Sequence, residues 1–416
     1  MPLTLLAPGP AASPLLRSLP AALEWLLALG WITRAANAAW HLSEIPNLLD
    51  PRYLPSAQQP DPCLSVVVPA LNEEAAIGPC LRSLLASRGV TLQIVAVNDR
   101  STDATGAVME TIAREAASTP HTLRVLHINA LPAGWLGKPH ALATGAAHTS
   151  GDFLLFTDGD SFYAPDALAR CMLLVHEQAA DHLVLLPTPI LKSPGERMML
   201  GMIQVTAIWG VRLWKVADPR AWDSIGVGCF NLLRRSAYDA IGGFASLRME
   251  ILEDLRLGYL VKRRGLRQRV AFGPDLLRLH WAPGALGIVR TMTKNLYALC
   301  RYNPVMLLAA VCGNAILALA PFAGLFGPPA VRLPSLLTVL TIAALYAANA
   351  RRTRVPAGYA ALFPAASALM LYAMVRSALI TLTQGGVRWR GTFYPLRELR
   401  RNAGRLWWWE LLKRKD

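Results

Sequence analysis

Two kinds of apolar pattern alternate through the middle of the chain. Short unbroken apolar runs at Leu64–Pro69 (LSVVVP), Gln93–Val97 (QIVAV), Leu123–His127 (LRVLH) and Phe153–Thr157 (FLLFT) read as strands buried on both faces. Between them, Ala75–Ser87, Asp103–Ala117 and His140–His148 carry helical patterns. Strand–helix–strand alternation predicts an α/β, Rossmann-like fold with a mostly parallel sheet and helices on both faces. Such a sheet takes its ligand beyond the carboxyl ends of the strands.

The ends of the chain are patterned differently. Ala21–Trp40 is apolar, interrupted by Glu24 and Arg34, with no small-residue cleavage site after a short apolar core. It reads as an uncleaved anchor, either spanning or interfacial. Pro304–Phe326, Pro334–Ala350 and Ala360–Thr383 each approach the roughly 20 residues that cross a bilayer. The tail, Arg388–Asp416, is basic and carries Trp407, Trp408 and Trp409, a composition suited to the headgroup layer. The predicted divisions are an anchor and linker (1–60), a catalytic domain (61–300), transmembrane helices (301–387) and an interfacial tail (388–416). The expected setting is multi-pass in a bacterial inner membrane, with the catalytic domain cytoplasmic. Three full crossings would leave the basic tail outside, against the positive-inside tendency that Arg351, Arg352 and Arg354 obey. One late stretch is therefore expected to cross incompletely, and Ala360–Thr383, with Pro364 and Arg376, is the one singled out.

Composition adds to this picture. The chain is 53% hydrophobic with mean hydropathy +0.33, high for a soluble enzyme. Its net charge of +15 suits nucleic acid, anionic lipid or a phosphate-bearing substrate. No nucleic-acid-binding signature accompanies the charge, which leaves lipid and phosphate. The six cysteines stand singly, without CxxC pairs, which argues against a disulfide framework or structural zinc and fits a reducing compartment.

The strand ends supply acids: Glu73 in PALNEE, Asp99 in VNDRSTDAT, and Asp158 and Asp160 in TDGD. Each alone also reads as a turn former or helix cap. Together they make a stronger case. Two carboxylates one residue apart on a turn reach one hard divalent cation and leave positions for phosphate oxygens. Such a cation neutralises a departing diphosphate. GWLGKPHAL (Gly134–Leu142) adds Lys138 at a helix start, a phosphate-binding arrangement without the order of a Walker A loop. Further on, ILEDLRLGYLVKRRG carries Glu253 and Asp254 on a helical run, Ile251–Lys262, which also reads as a charged surface helix.

In this order, PALNEE, VNDRSTDAT, GWLGKPHAL, TDGD, GVGCFNLLRRSAYDAIGGF and ILEDLRLGYLVKRRG resemble a family 2 (GT-A fold) inverting glycosyltransferase over about residues 61–300. The resemblance implies that Pro69, Glu73, Asp99, Lys138 and Asp158 bind the nucleotide. Asp158 and Asp160 would hold Mn²⁺ or Mg²⁺ with the diphosphate, and Asp254 would be the general base supported by Glu253. Processive members carry a QxxRW motif after the ED pair, and His280–Leu299 lacks it. A looser echo, QGGVRWRGTFY (Gln384–Tyr394), is similar to the ceramide glucosyltransferase and carotenoid glycosyltransferase branch. Gly228, Cys229, Arg388 and Trp389 are the expected acceptor or sugar pocket. The implied function is transfer of one sugar from a nucleotide-diphosphate sugar, UDP-linked, to a membrane-lipid hydroxyl, with a processive polysaccharide synthase as the alternative. Met198–Val216 reads either as an interfacial helix shaping an acceptor entrance or as a core helix.

Overall fold

The computed structural model describes residues 14–55 and 62–403. The tryptophans of the expected tail, Trp407, Trp408 and Trp409, lie outside the described residues. In chain order the helices are α1 (Pro14–His41), α2 (Glu74–Leu85), α3 (Thr105–Ala116), α4 (Gly137–Ala147), α5 (Ala167–Glu177), α6 (Pro194–Gly210), α7 (Arg235–Ala240), α8 (Glu253–Arg263), α9 (Gly284–Thr293), α10 (Leu296–Leu299), α11 (Pro304–Gly324), α12 (Pro329–Thr353), α13 (Phe363–Thr383) and α14 (Leu396–Asn402). The strands are β1 (Cys63–Ala70), β2 (Thr91–Asp99), β3 (Thr122–Ile128), β4 (Phe153–Phe156), β5 (Ser161–Tyr163), β6 (His182–Leu185), β7 (Thr188–Pro189), β8 (Asn231–Arg234), β9 (Gln268–Ala271), β10 (Leu277–Leu279), β11 (Gly386–Trp389) and β12 (Thr392–Pro395).

Among the described residues, seven strands form the central sheet in the order β3-β2-β1-β4-β8-β6-β9. β1, β2, β3 and β4 run parallel, β8 is antiparallel to both its neighbours, and β9 is parallel to β6. The expected α/β class with a mostly parallel sheet therefore holds. Side-chain alternation divides each strand between two cores. Val66, Val68, Ile94 and Leu155 pack against Ile77, Leu81 and Leu84 of α2, Met109 of α3 and Leu168 of α5. Val67, Val95, Val97 and Leu154 face Ala141 and Leu142 of α4 and Leu257 and Val261 of α8. Helix α4 begins at Gly137, three residues before the sequence pattern suggested, so Lys138 lies in its first turn.

Among the described residues, three segments are long and apolar enough to cross a membrane: Pro304–Gly324, Pro329–Thr353 and Ala357–Thr383. Their outward faces are apolar, with Val305 73% and Leu308 64% exposed. Inside, an apolar core around Ile342, Phe363 and Met370 also encloses a few hydroxyls. Ser335, Thr338, Ser367, Ser377 and Thr381 are buried. Thr338, Ser367 and Thr381 each donate to a carbonyl one turn back, which satisfies a hydroxyl without water. The features that set Ala360–Thr383 apart have local accounts. Pro364 stands in the first turn of α13, where its missing N–H is harmless. Arg376 donates to Thr293 Oγ1, so its charge turns toward protein. The expected anchor is helix α1, joined to the late helices by hydrogen bonds from Trp31 Nε1 to the Leu317 carbonyl (3.1 Å) and from Ser335 Oγ to Glu24 (3.0 Å).

Met198–Val216 is not one helix. α6 ends at Gly210, and Arg212 beyond it pairs with Asp223 at 2.6 Å. Met199, Met202 and Val205 are buried with Ile288 of α9, Tyr346 of α12 and Met370 of α13. Helix α6 thus serves as a core helix among α9 and the apolar helices. A hairpin of β11 and β12 then folds back over the sheet's carboxyl edge, and Val387 and Tyr394 pack with Leu136, Met249, Ile251 and Tyr297.

Candidate active site

The loops after β1 and β2 are laced together. Asn72 is left-handed (φ 54°), its N–H donates to Ser101 Oγ (3.1 Å), and its Oδ1 accepts from the Thr102 N–H (2.8 Å). The Glu73 N–H donates to Thr105 Oγ1 (2.8 Å), which leaves the Glu73 carboxylate to the crevice. There Arg390 Nη2 meets Glu73 Oε1 at 2.8 Å, while Oε2 is buried without a hydrogen-bond partner. Asp99 is fully buried and accepts from Arg100 Nε (2.7 Å) and Nη2 (3.0 Å). A Cβ at Gly137 would stand 2.7 Å from both Asp99 Oδ2 and Arg100 Nη2, so only glycine lets the start of α4 close on this pair. Pro69 is buried in β1, behind these loops.

Lys138 is the hinge of the site. Its Nζ contacts Asp158 Oδ1 at 2.7 Å and Glu253 Oε1 at 2.8 Å. One buried ammonium therefore brings the DGD turn after β4 against the first turn of α8. The loop before β8 completes the enclosure. A Cβ at Gly228 would lie 3.0 Å from Asp158 Oδ2, 3.1 Å from Lys138 Nζ and 3.6 Å from Asp254 Oδ2. Gly226 lets the loop reach the backbone carbonyl of Asp254, which any Cβ would overlap. Cys229 is buried, and its carbonyl accepts from Thr157 Oγ1 (2.9 Å), so it braces the DGD turn from behind.

The acids do not share one ionisation state. Burial disfavours the charge on Asp158, but Lys138 outweighs it and holds the carboxyl below the usual range. Burial, then the charge of Asp158, lifts Asp160 to about 6. Burial lifts Glu73 to about 7 against the pull of Arg390. Burial, then the charge of Glu253, lifts Asp254 to about 6. Asp254 Oδ1 accepts from the Leu255 N–H (2.8 Å), which fixes the carboxyl at the helix start.

Sequence reasoning missed part of the rim. Arg390, Thr392 and Tyr394 of the hairpin reach the crevice: Arg390 to Glu73, Thr392 Oγ1 to Arg100 Nη1 (3.4 Å), and Tyr394 OH to the Gly137 N–H (3.1 Å). Arg388 is exposed, while Trp389 is half-buried and stacks on Lys294, whose Nζ lies 4.5 Å from the ring centroid. The available signal was the RWR triplet, in which the second arginine rather than the first meets an acid.

The sequence model described as Glycosyl transferase family 2 matches residues 65–256. The match covers a little under half of the chain. The matched segment contains Glu73, Lys138, Asp158, Glu253 and Asp254, whereas Lys294, Trp389 and Arg390 come from beyond it. Curated relatives include 4,4'-diaponeurosporenoate glycosyltransferases of Staphylococcus aureus strains MRSA252 and USA300. Each is 27% identical over 197 residues, which covers 47% of this chain and 50% of the relative. The chain spans about half the length of the curated relatives it matches. Among solved structures, the mannosyltransferase PcManGT of Pyrobaculum calidifontis, in complex with GDP-Man and Mn²⁺, aligns with TM-score 0.46 and 18% identity over 88% of this chain and 99% of that one. S. aureus TarS 1–349 with UDP-GlcNAc aligns with TM-score 0.39 and 16% identity over 80% of this chain and 96% of that one.

Proposed function

We propose that the protein is an inverting glycosyltransferase that moves one sugar from a nucleoside-diphosphate sugar, UDP-linked, to a hydroxyl of a membrane lipid. The observation that carries this reading is the Lys138 bridge, which holds Asp158 of the DGD turn and Glu253 of α8, the neighbour of Asp254, on one ammonium. A donor diphosphate held at the DGD turn then faces Asp254 across the width of one lysine. In the transfer, the acceptor oxygen attacks the anomeric carbon and its proton passes to Asp254. The bond from that carbon to the phosphate oxygen breaks, and the nucleoside diphosphate leaves with the electron pair. A carboxyl lifted to about 6 suits this role, since it is ionised at neutral pH yet retains proton affinity. Inversion needs this one base rather than a carboxylate pair.

The residues fit a divalent cation. Glu73, Asp158, Asp160, Glu253 and Asp254 face Lys138, Lys294 and Arg390, an excess of acid that burial makes costly. Glu73 Oε2 has no hydrogen-bond partner. Among the described residues no three such side chains already converge as metal ligands. Asp158 and Asp160 would hold Mn²⁺ or Mg²⁺, with donor phosphate oxygens completing its shell. The bound ion would neutralise charge on the leaving diphosphate.

The acceptor follows from position. α9 joins the site to α13, and α13 carries one of the apolar segments. Relatives named as 4,4'-diaponeurosporenoate glycosyltransferases support a carotenoid-type lipid. Incubation of the purified protein with UDP- and GDP-sugars and extracted lipids, read by mass, tests the reading. A lipid heavier by one sugar is expected, a ladder of masses would favour a polysaccharide synthase, and unchanged lipids would refute transfer.

A further inference from the structure

The two lysines of the site are used differently. Lys138 is committed to two carboxylates. Lys294, at the junction of α9 and α10, has no carboxylate within ion-pair distance among the described residues. Its Nζ donates to Asn295 Oδ1 (2.8 Å) and rests on the face of Trp389, 4.5 Å from the centroid. A neighbouring amide and an indole orient an ammonium without neutralising it. Asn295 accepts one of the three donors of this ammonium.

The charged groups around it come from every side. Glu253 and Asp254 lie on α8, Lys138 on α4, Asp158 on the DGD turn and Arg390 on the hairpin. From α13, Arg376 is turned aside onto Thr293 Oγ1. A cation that is held apart from the site's acids while facing its phosphate-binding turn has the chemistry of an anion receptor. The anion must be brought by a ligand.

We propose that Lys294 binds the donor diphosphate directly and carries charge that develops on the departing nucleoside diphosphate. This rests on the nucleotide-sugar reading above. Trp389 and Asn295 aim the ammonium, and its remaining N–H donors go to phosphate oxygens. No proton need be transferred, because the leaving group departs as an anion onto an ammonium already charged. The assignment also gives a reason for the fold of this region. The charge is supplied from beyond residues 65–256, by the segment that leads into the apolar helices, so donor binding and the lipid-facing helices meet in one residue. Burial holds this ammonium down to about 8, with Glu253 opposing, so a bound anion has proton affinity to restore.

The test compares wild type, Lys294→Met and Lys294→Arg in calorimetric binding of UDP and GDP, with uridine and guanosine as probes lacking phosphate. At pH 7, Lys294→Met should weaken binding of whichever nucleoside diphosphate the wild type accepts by tenfold or more. Binding of the nucleoside should stay unchanged. Lys294→Arg should recover most of the loss. Above pH 8 wild-type diphosphate affinity should fall while that of Lys294→Arg holds. Equal diphosphate affinity in wild type and Lys294→Met, with the same pH dependence, would overturn the assignment and leave the nucleotide-sugar reading standing. Failure of the wild type to bind either nucleoside diphosphate would remove both.

Discussion

Asp158 of the DGD turn and Asp254 at the start of α8 both lie near Lys138, and their surroundings shift them oppositely. Asp158 receives the ammonium at 2.7 Å and is held ionised. Asp254 has a single backbone N–H as its hydrogen-bond donor, and burial, then the repulsion of Glu253, raises its affinity for a proton. The difference teaches how one residue type fills two roles. A carboxylate that must hold a cation benefits from a low pKa, whereas one that must take a proton benefits from a raised pKa. Lys138 sets both, because it binds Asp158 and Glu253 and leaves Asp254 next to the pair.

The largest expected effect comes from removing the proposed proton acceptor. Asp254→Asn should lower transfer by about 10²–10⁴-fold, the usual range for a general base. Binding of nucleoside diphosphate, followed by calorimetry, should change little. In the wild type the transfer rate should climb with pH through about 6 as Asp254 loses its proton, and Asp254→Asn should lack that limb.

Removing the shared cation should erase the contrast itself. Lys138→Met leaves two carboxylates facing one another without a partner, which typically costs about 3–5 kcal/mol when a buried pair is broken. A lower Tm is expected, and Mn²⁺ should recover part of it by replacing the lost charge.

A smaller effect is a pH dependence of stability in the metal-free protein. Glu73 lifted to about 7, and Asp160 and Asp254 to about 6, bind more protons folded than unfolded. Their stabilising contribution is complete below the ordinary carboxyl range near pH 4 and is lost as pH rises through about 6 to 7. Tm should therefore fall across that window, and a divalent cation should flatten the slope. Asp158 works in the opposite sense, with its contribution lost on acidification below its ordinary range.

The smallest effect separates the two arginines of the hairpin. Arg390→Ala frees the Glu73 carboxylate and should weaken donor binding, whereas exposed Arg388→Ala should stay within about 0.5 kcal/mol of wild type in stability and leave binding unchanged. Equal losses would show that the hairpin acts as a unit rather than through Arg390.

The same contrast explains what the chain revealed in advance. β1, β2 and β4 were legible because parallel strands covered on both faces become unbroken apolar runs, and Leu64–Pro69 falls inside Cys63–Ala70. Strand β8 was not, since four residues inserted antiparallel carry too little periodicity to separate from a loop. The acids at strand ends, Glu73 and Asp158 among them, were legible from position, and Asp254 in the first turn of α8 was legible through the family resemblance. The commitment of Asp99 to Arg100 was hidden, because nothing in adjacent letters tells a bidentate neighbour from a ligand. Lys294 and Arg390 were hidden for another reason. They reach the site only because α9–α10 and the hairpin fold back against the sheet's carboxyl edge, a tertiary event with no local pattern.

The central claim is that one sugar passes from a nucleotide donor at the DGD turn to a lipid hydroxyl deprotonated by Asp254. The most direct measurement is mass analysis of lipids after incubation of wild type and Asp254→Asn with nucleotide sugars, paired with nucleoside-diphosphate binding to both proteins. The account predicts a lipid gaining the mass of a single sugar in wild type, and loss of that product in Asp254→Asn while the nucleotide still binds. Undiminished lipid glycosylation by Asp254→Asn would contradict it.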